Sequence, residues 1–392
     1  MSTSRSNAWL NRNILFISLS AFFADSGYQI VIAGLPIFLV LSLKAPAYIF
    51  GIAMGLAYGI GAIFAYAGGR LADRYGRKKM AILGNSLIPI LSFTGFFSNP
   101  VSAMAVFNAG WWARNFRTPA RRAMQSDASS KKNRAKAFGF LNALDIGGGM
   151  TASALLIIFL YMRMQFSVIF LFSIIPLAAS TFCLALVNVR KRANAAVRGK
   201  KDSVIKEKKN LDIFYGVLIA TALYGFTSYS LGFPIITIAE RSSSILGVLG
   251  YAIMMAVSAF SGFYLAKRRL SKVKSLAILG YMAAGMGSLM FGLSYLLGYG
   301  VYAFYVAAFV IGISIGSIET FEPTIVSLIS SVKRQGSGMG MLSTSRSIGL
   351  FAGNIIMGLL YTVSPFYSYA YATAVAFAAG IILLASSRKA SI

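Results

Sequence analysis

The stretch GGRLADRYGRKKM, residues 68–80, carries a run of basic side chains around one acid, Asp73, and lies between two long apolar segments. Gly69 and Gly76 permit a tight chain reversal with positive dihedral angles. An acid at the tip of one helix is stabilised when it lies against the positive N-terminal end of another helix. The stretch therefore predicts a short basic loop between two helices, with Asp73 held against a third helix.

Apolar segments long enough to cross a bilayer, about 20 residues each, recur along the whole chain. Of its 392 residues, 57% are hydrophobic and only 12% are charged, and the mean hydropathy is +0.71. The first segment is long and lacks a small-residue cleavage site, so we expect it to span the membrane rather than to act as a signal peptide. The composition predicts an all-α membrane protein with twelve transmembrane helices, at residues 13–42, 47–68, 80–98, 101–124, 138–162, 166–188, 212–238, 244–266, 275–298, 301–331, 339–363 and 366–386.

The net charge of +27 is distributed unevenly over this pattern. If the N-terminus is cytoplasmic, all but six of the 37 lysines and arginines fall in cytoplasmic segments or at the cytoplasmic ends of the spans. This bias sets the orientation of membrane proteins, so we expect a multi-pass protein of the cytoplasmic membrane with both termini in the cytoplasm. No basic face interleaved with aromatic residues accompanies the charge, which argues against nucleic acid as a partner.

The chain divides into two similar halves. GFLNALDIGG at 139–148 aligns with GMLSTSRSIG at 340–349, which brings Asp145 and Arg346 to equivalent positions. Duplicated halves are a common plan of secondary transporters. We therefore expect two pseudo-symmetric six-helix bundles, at 1–188 and 212–392, joined by a basic cytoplasmic linker at 189–211.

The spacing G-R-L-A-D-R-x-G-R-K-K in the 68–80 stretch resembles the signature loop between helices 2 and 3 of the major facilitator superfamily. A weaker echo, LAKRRLSKVKS, occupies 265–275 in the second half, with Lys267 in place of the acid. The resemblance implies a transporter that works by alternating access, in which Asp73 contacts the start of helix 11 at 336–341 and holds one conformation of a gate. The motif residues are Gly69, Arg70, Asp73, Arg74, Gly76, Arg77 and Lys78.

The stretch WARNFRTPA, residues 112–120, resembles the helix 4 motif of proton-coupled members of that superfamily. Arg114 falls on the membrane-embedded arginine of the motif, whereas Arg117 and Thr118 replace its usual Gln and Gly. The proline motif that marks drug:proton antiporters in helix 5 is absent from DIGGGMTAS at 145–153. This departure leaves the direction of transport open.

Four acids lie well inside the predicted spans, away from their first and last residues, namely Asp25, Asp145, Glu319 and Glu322. An unpaired charge at the centre of a membrane helix costs about 2.5–3.5 kcal/mol, so these groups must be paired, protonated or hydrated. At a rise of about 1.5 Å per residue, charges of opposite sign in the two halves lie at similar depths. We expect Arg114 or Arg117 to pair with Glu319 or Glu322, and Asp145 to meet Arg346, as gate contacts on the cytoplasmic side; the alternative is that these ions only fix helix packing.

Asp25 has no repeat-related charged partner in the second half. Burial disfavours the ionised form of a carboxyl group, which suits Asp25 to carry a proton; the alternative is a counter-ion for a cationic substrate. Polar and aromatic residues on helices that could line a central cavity are candidate substrate contacts, namely Tyr28, Gln29, Arg114, Tyr224 and Tyr229.

The residue types limit the possible chemistry. The chain has no histidine and a single cysteine, Cys183, so His-based metal sites and most enzyme constellations are excluded. No nucleotide-binding motif is present. We expect a monomeric, cofactor-free secondary transporter in the bilayer that moves a small organic solute, by proton-coupled efflux of amphipathic or cationic compounds; the alternatives are proton-coupled uptake of an organic anion or other metabolite, or uniport.

Overall fold

The computed structural model describes residues 9–130, 133–188, 208–227, 231–266, 271–329 and 335–387. In these ranges the chain is helical wherever a span is predicted, and no strand is present. The first half comprises α1 (Arg12–Pro36, continued by a π-helical turn at Ile37–Ser42), α2 (Ala47–Tyr75), α3 (Arg77–Leu87, continued by a 3₁₀ segment at Ile88–Phe96), α4 (Pro100–Ala128), α5 (Arg134–Tyr161) and α6 (Phe166–Phe172 and Ile174–Ala185).

The second half repeats this plan. It comprises α7 (Lys208–Thr227 and Gly232–Arg241), α8 (Ser244–Ala266), α9 (Lys272–Ser275, a π-helical segment at Leu276–Met282, and Ala283–Leu296), α10 (Val301–Ile329), α11 (Gln335–Val363) and α12 (Pro365–Ser387). The predicted fold class, an all-α membrane protein with two six-helix bundles, is confirmed. Most of the predicted linker, 189–211, lies outside the described residues.

Ten of the described helical segments are long and apolar enough to span a membrane. Two predicted spans are exceptions. α4 carries four arginines in its second half, from Arg114 to Arg122, which lower its hydropathy. α7 is described in two segments, of which Phe214–Gly225 is the apolar part of the first.

Local chemistry explains how several helices begin and end. The side chain of Asn11 accepts a hydrogen bond from the amide of Ile14 and caps α1, and Asn99 caps α4 in the same way. Gly76 connects α2 to α3 with φ of +100°, which glycine adopts without strain. The reversal predicted at Gly76 is therefore correct. Gly69 instead lies inside α2 and faces Pro119 of α4, so its assignment to the turn is wrong.

The hydrophobic core shows how the two halves meet. The largest cluster contains residues of both halves, among them Tyr28, Phe50, Phe233 and Tyr251. Two smaller clusters each lie within one half, at the ends of the helices nearest the 68–80 loop. We call this side of the molecule the loop face and the opposite side the far face. The halves are packed together towards the far face and separated towards the loop face, where a cleft lies between them.

Glycines of α2 allow the contact near the far face. A Cβ added to Gly51 would lie 2.9 Å from the Cα of Gly358 in α11, and one added to Gly55 would lie 2.9 Å from the carbonyl oxygen of Phe351. The rings of Phe50 and Phe233 meet edge to face at 5.2 Å. Small residues let helices approach closely in this way, and this contact closes the far face.

The close contact between Gly51 of α2 and Gly358 of α11 predicts what an added methyl group would do. Gly51→Ala should open the far face, because overpacking costs about 1–3 kcal/mol and would shift the conformational equilibrium by roughly tenfold or more. The measurement is the rate at which a membrane-impermeant thiol reagent modifies Met357→Cys, a core position near this contact, in a Cys183→Ser background.

The matched control is Gly139→Ala, since a Cβ at Gly139 meets no atom within 4 Å. Equal labelling rates for the two alanine variants would show that the glycine contact does not hold the far face closed.

Candidate functional site

Asp25 lies near the middle of α1 and is 6% exposed. The hydroxyl of Tyr28, one turn along the same helix, donates a hydrogen bond to its Oδ1 atom. Its other oxygen, Oδ2, has no hydrogen-bond partner in the described structure. Gly148 of α5 packs directly against it, with a hypothetical Cβ at that position 2.9 Å from the Cβ of Asp25. The carboxyl group is therefore enclosed within the first half rather than exposed on a cavity wall.

Arg114 of α4 lies beside this pair and is partly exposed. Its guanidinium lies 4.6 Å from the ring centroid of Trp111 and 5.3 Å from that of Tyr28, both within cation–π range. Its Nη2 donates a long hydrogen bond of 3.4 Å to the hydroxyl of Tyr28. No carboxylate of the described residues lies within ion-pair distance of Arg114. Asp25, Tyr28 and Arg114, predicted separately, thus form one cluster.

Gln29 connects the cluster to the second half. Its Oε1 accepts a hydrogen bond of 2.9 Å from the hydroxyl of Tyr251 in α8. This contact lies where the shared core ends and the cleft begins. Gln29 therefore forms a contact between the two halves. It was expected to line a central cavity, and its side chain lies between α1 and α8.

Arg117 is buried completely within the first half. Its Nη1 donates a hydrogen bond of 2.8 Å to the side-chain oxygen of Asn85 in α3, and Asn85 in turn donates to Thr181 of α6. The predicted pairing of Arg117 with Glu319 or Glu322 is not formed in this conformation, and it stays a prediction for the state in which the loop face is closed. Here the side chain of Arg117 points towards α3.

The other predicted ion partners are also found within their own halves. Asp145 of α5 lies 3.2 Å from Arg121 of α4. In the second half, Arg346 of α11 lies 2.7 Å from Glu319 and 2.5 Å from Glu322, both of α10. The predicted contact of Asp145 with Arg346 is not formed, and neither is any predicted pairing of Arg114 with these glutamates.

The two glutamates differ in their surroundings. The side chain of Glu322 is 0% exposed, and one of its oxygens accepts a hydrogen bond of 2.7 Å from the hydroxyl of Tyr281 while the other contacts Arg346. The side chain of Glu319 is 60% exposed. Tyr281 lies in the π-helical segment of α9, a type of irregularity frequent at functional sites. Glu322 is thus a buried structural acid, and Glu319 is the acid that faces the cleft.

Cations of the 68–80 loop hold the first half together. Arg77 contacts Asp73 at 3.5 Å and Asp127, at the end of α4, at 2.5 Å. Lys78 donates a hydrogen bond to the carbonyl of Ala185 in α6. Asp73 is mostly exposed and bonded to Arg77; its predicted contact with α11 stays a prediction for the closed conformation of this face. Arg70 and Arg74 lie over the rings of Tyr66 and Tyr75.

One predicted cavity residue, Tyr224, does not line the cleft. Tyr224 is buried and its ring packs against Tyr281, in the core of the second half. Tyr229 lies outside the described residues. The sequence analysis missed Asn85, Tyr281 and Arg122, because a single polar side chain in or beside an apolar run carries no signal of its partner.

The two glutamates of α10 predict a contrast in stability. Glu322→Gln should lower the free energy of unfolding by about 3 kcal/mol, because it removes one side of a buried ion pair. Glu319→Gln should cost less than about 1 kcal/mol, because exposed pairs contribute little. Thermal unfolding of the purified variants measures both, and each is the matched control for the other. Equal losses would contradict the assignment of Glu322 as the buried member.

Comparisons with known proteins agree with this architecture. A model of the Major Facilitator Superfamily matches residues 17–294, so the chain belongs to that superfamily of membrane transporters. The uncharacterized MFS-type transporter MJ1317 of Methanocaldococcus jannaschii is 22% identical over 96% of this chain and 95% of its own.

Solved structures share the fold at low sequence identity. The nucleoside transporter NupG superposes with a TM-score of 0.76 at 12% identity, over 96% of this chain and 100% of that one. The POT family transporter PepTSo superposes with a TM-score of 0.78 at 13% identity, over 97% and 98% of the two chains. These similarities show a shared fold and leave the substrate of this chain open.

Proposed function

We propose that this member of the major facilitator superfamily is a proton-coupled secondary transporter that moves a small organic solute across the cytoplasmic membrane by alternating access. The observation that carries the proposal is the cluster of Asp25, Tyr28 and Arg114, a buried acid with one unbonded oxygen beside a partly exposed cation. Such an acid is expensive to keep ionised in the membrane. Binding and releasing a proton there is the simplest use of it.

The cluster supplies a physical link between the proton and the solute. With Asp25 ionised, its charge offsets that of Arg114 through Tyr28. With Asp25 protonated, the charge of Arg114 is no longer offset at this site. Arg114 is the partly exposed member of the cluster. A proton on Asp25 therefore changes the affinity of the cleft for a charged solute. Coupling requires no cofactor, and the proton gradient is the energy source.

The proposal assigns the loop face to the cytoplasm, because lysine and arginine concentrate on the cytoplasmic side of membrane proteins. The conformation described here is then open to the cytoplasm, and both termini lie on that side. A monomer suffices, since each half supplies one wall of the cleft. The alternatives for the direction and coupling of transport are efflux of amphipathic or cationic compounds, and uniport.

Alternating access requires the cytoplasmic cleft to close. Arg122, in the second half of α4, is exposed, and Glu319 of α10 is an exposed acid of the opposite half. Glu319 is bonded to Arg346 through one oxygen. We propose that closure brings Arg122 onto Glu319. This pair replaces the pairing first predicted between α4 and α10.

Asp25→Asn should abolish proton movement and keep solute exchange, because the amide is neutral and cannot release a proton. The measurement uses proteoliposomes loaded with a pH-sensitive dye, to which anionic, neutral and cationic metabolites are added, beside counterflow of labelled solute. Solute flux with unchanged proton movement in Asp25→Asn would contradict the assignment of the proton site. Solute flux without proton movement in the wild type would indicate uniport.

The gate pair predicts a reversible crosslink. Cysteines at Arg122 and Glu319, in a Cys183→Ser background, should form a disulfide under oxidation, because closure would bring the two Cα atoms within about 7 Å. Crosslinking should block transport and reduction should restore it. Cysteines at Arg163 and Glu319, on opposite faces, are the control pair. A variant that transports but never crosslinks at 122 and 319 would disprove the contact.

A further inference from the structure

The charges on the two walls of the cleft are opposite in sign. In the first half, the cations of α4 that are not buried are Arg114 and Arg122, whereas Arg117, Arg121 and the acid Asp25 are buried. Among the described residues of the second half, Glu319 is an exposed acid, and Arg346 is shared between it and the buried Glu322. A charged solute is therefore oriented by the field between the walls, with any anionic group towards α4.

Unbonded donors reinforce the positive wall. Among buried side-chain atoms of α4 without a hydrogen-bond partner, six are donors: Nε1 of Trp111, Nε of Arg114, Nε and Nη2 of Arg117, and Nε and Nη1 of Arg121. Only two are acceptors, on Asn108 and Gln125. Arg114 is the only one of these residues whose side chain is partly exposed. Because a buried donor without a partner is costly, a ligand at Arg114 is stabilised more by accepting a hydrogen bond than by donating one.

A cationic group fits the site less well. Asp25 is the acid that would have to receive it, but Tyr28 and Gly148 enclose that carboxyl. Arg114 is the partly exposed member of the cluster, and its own positive charge repels a cation on the way to Asp25. The nearest charge that a solute meets at this level of the cleft is therefore positive.

We infer that the transported solute is an organic anion whose carboxylate or phosphate group binds Arg114, and that it binds together with a proton on Asp25. This inference rests on the proposed function and names its substrate class. Arg114 presents a planar set of donors that suits either group. The aromatic rings of Trp111 and Tyr28 hold its guanidinium in place. Protonation of Asp25 removes the competing negative charge, so proton and anion travel in the same direction.

The pH dependence has several contributors around Asp25. Its charged neighbours are Arg114 and Arg121 of α4 and Asp145 of α5, with the hydroxyl of Tyr28 on its own helix. Asp145 is already paired with Arg121. Of the two acids, Asp25 is therefore the one whose protonation most directly changes the charge balance at Arg114.

The test uses matched probes on the purified protein. Benzoate, benzamide, benzylammonium and phenyl phosphate carry one ring and differ in charge, and larger carboxylates with their amides and amines extend the set. Each is added up to about 20 mM, well above the millimolar affinity of a weak single-site contact. Ligand binding is measured as a rise in unfolding temperature, which follows mass action.

We expect carboxylates, phosphates or both to stabilise the protein, with Arg114→Gln losing the effect, Arg114→Lys retaining part of it, and Arg163→Gln, an exposed arginine of an outer loop, retaining all of it. Which of the two groups stabilises more identifies the anion. Stabilisation by amines alone, by amides equally, or by no carboxylate or phosphate overturns the inference.

The pH dependence separates this inference from the proposed function. Benzoate binding should be tighter at about pH 6 than at about pH 8, because benzoate keeps its charge at both, and in Asp25→Asn it should be tight at both. Anion binding that depends on Arg114 but responds to pH identically in wild type and Asp25→Asn would refute proton coupling and retain the substrate class. Amine binding that depends on Asp25 would retain an ionisable site at Asp25 and refute the substrate class.

Discussion

An ionised side chain between membrane helices must have a partner, because the bilayer core supplies none. Most of the structure around the cleft follows from this constraint. Arg121 pairs with Asp145 across α4 and α5, and Arg346 pairs with Glu319 and Glu322 across α10 and α11. Each described ion pair lies within one half. The halves can therefore separate at the loop face without exposing unpaired charges, and their contact near the far face is left to glycines and aromatic rings.

Asp25 and Arg114 are the exception to this pattern. They lie in the same half and influence each other through Tyr28, yet no ion pair within bonding distance joins them. Arg121 and Arg346 are paired with carboxylates, whereas Arg114 has no carboxylate within bonding distance and Asp25 keeps one unbonded oxygen. Because some of its polar atoms lack partners, this cluster can bind or release a proton and a solute with a small change in free energy. Coupled transport requires such a site.

The internal repeat relates the two halves with opposite charge. Asp145 and Arg346 occupy equivalent positions in α5 and α11, and each pairs with the preceding helix of its own half. The sequence alone showed that the two positions are equivalent and that their charges are opposite. The sequence also suggested that Asp145 and Arg346 contact each other. In the folded chain, each of them instead pairs with a residue of the preceding helix in its own half.

The sequence predicted the twelve spans and the reversal at Gly76, because apolar length and glycine are local signals. It could not predict partners, because the rotation of a helix about its axis is set by packing with its neighbours. Arg117 illustrates this limit: it shares a depth with Glu322 but faces Asn85 of α3. Arg122, one residue beyond Arg121, faces the cleft and looked like an ordinary basic residue at a helix end.

The central claim is that Asp25 binds and releases a proton. Infrared difference spectroscopy of the purified protein between mildly acidic and mildly alkaline solution observes protonated carboxyl groups directly. We expect a carboxyl band that is present at acidic pH, disappears as the pH rises and is missing from Asp25→Asn. A spectrum that this substitution leaves unchanged would show that Asp25 keeps one protonation state, and would contradict the proposed coupling.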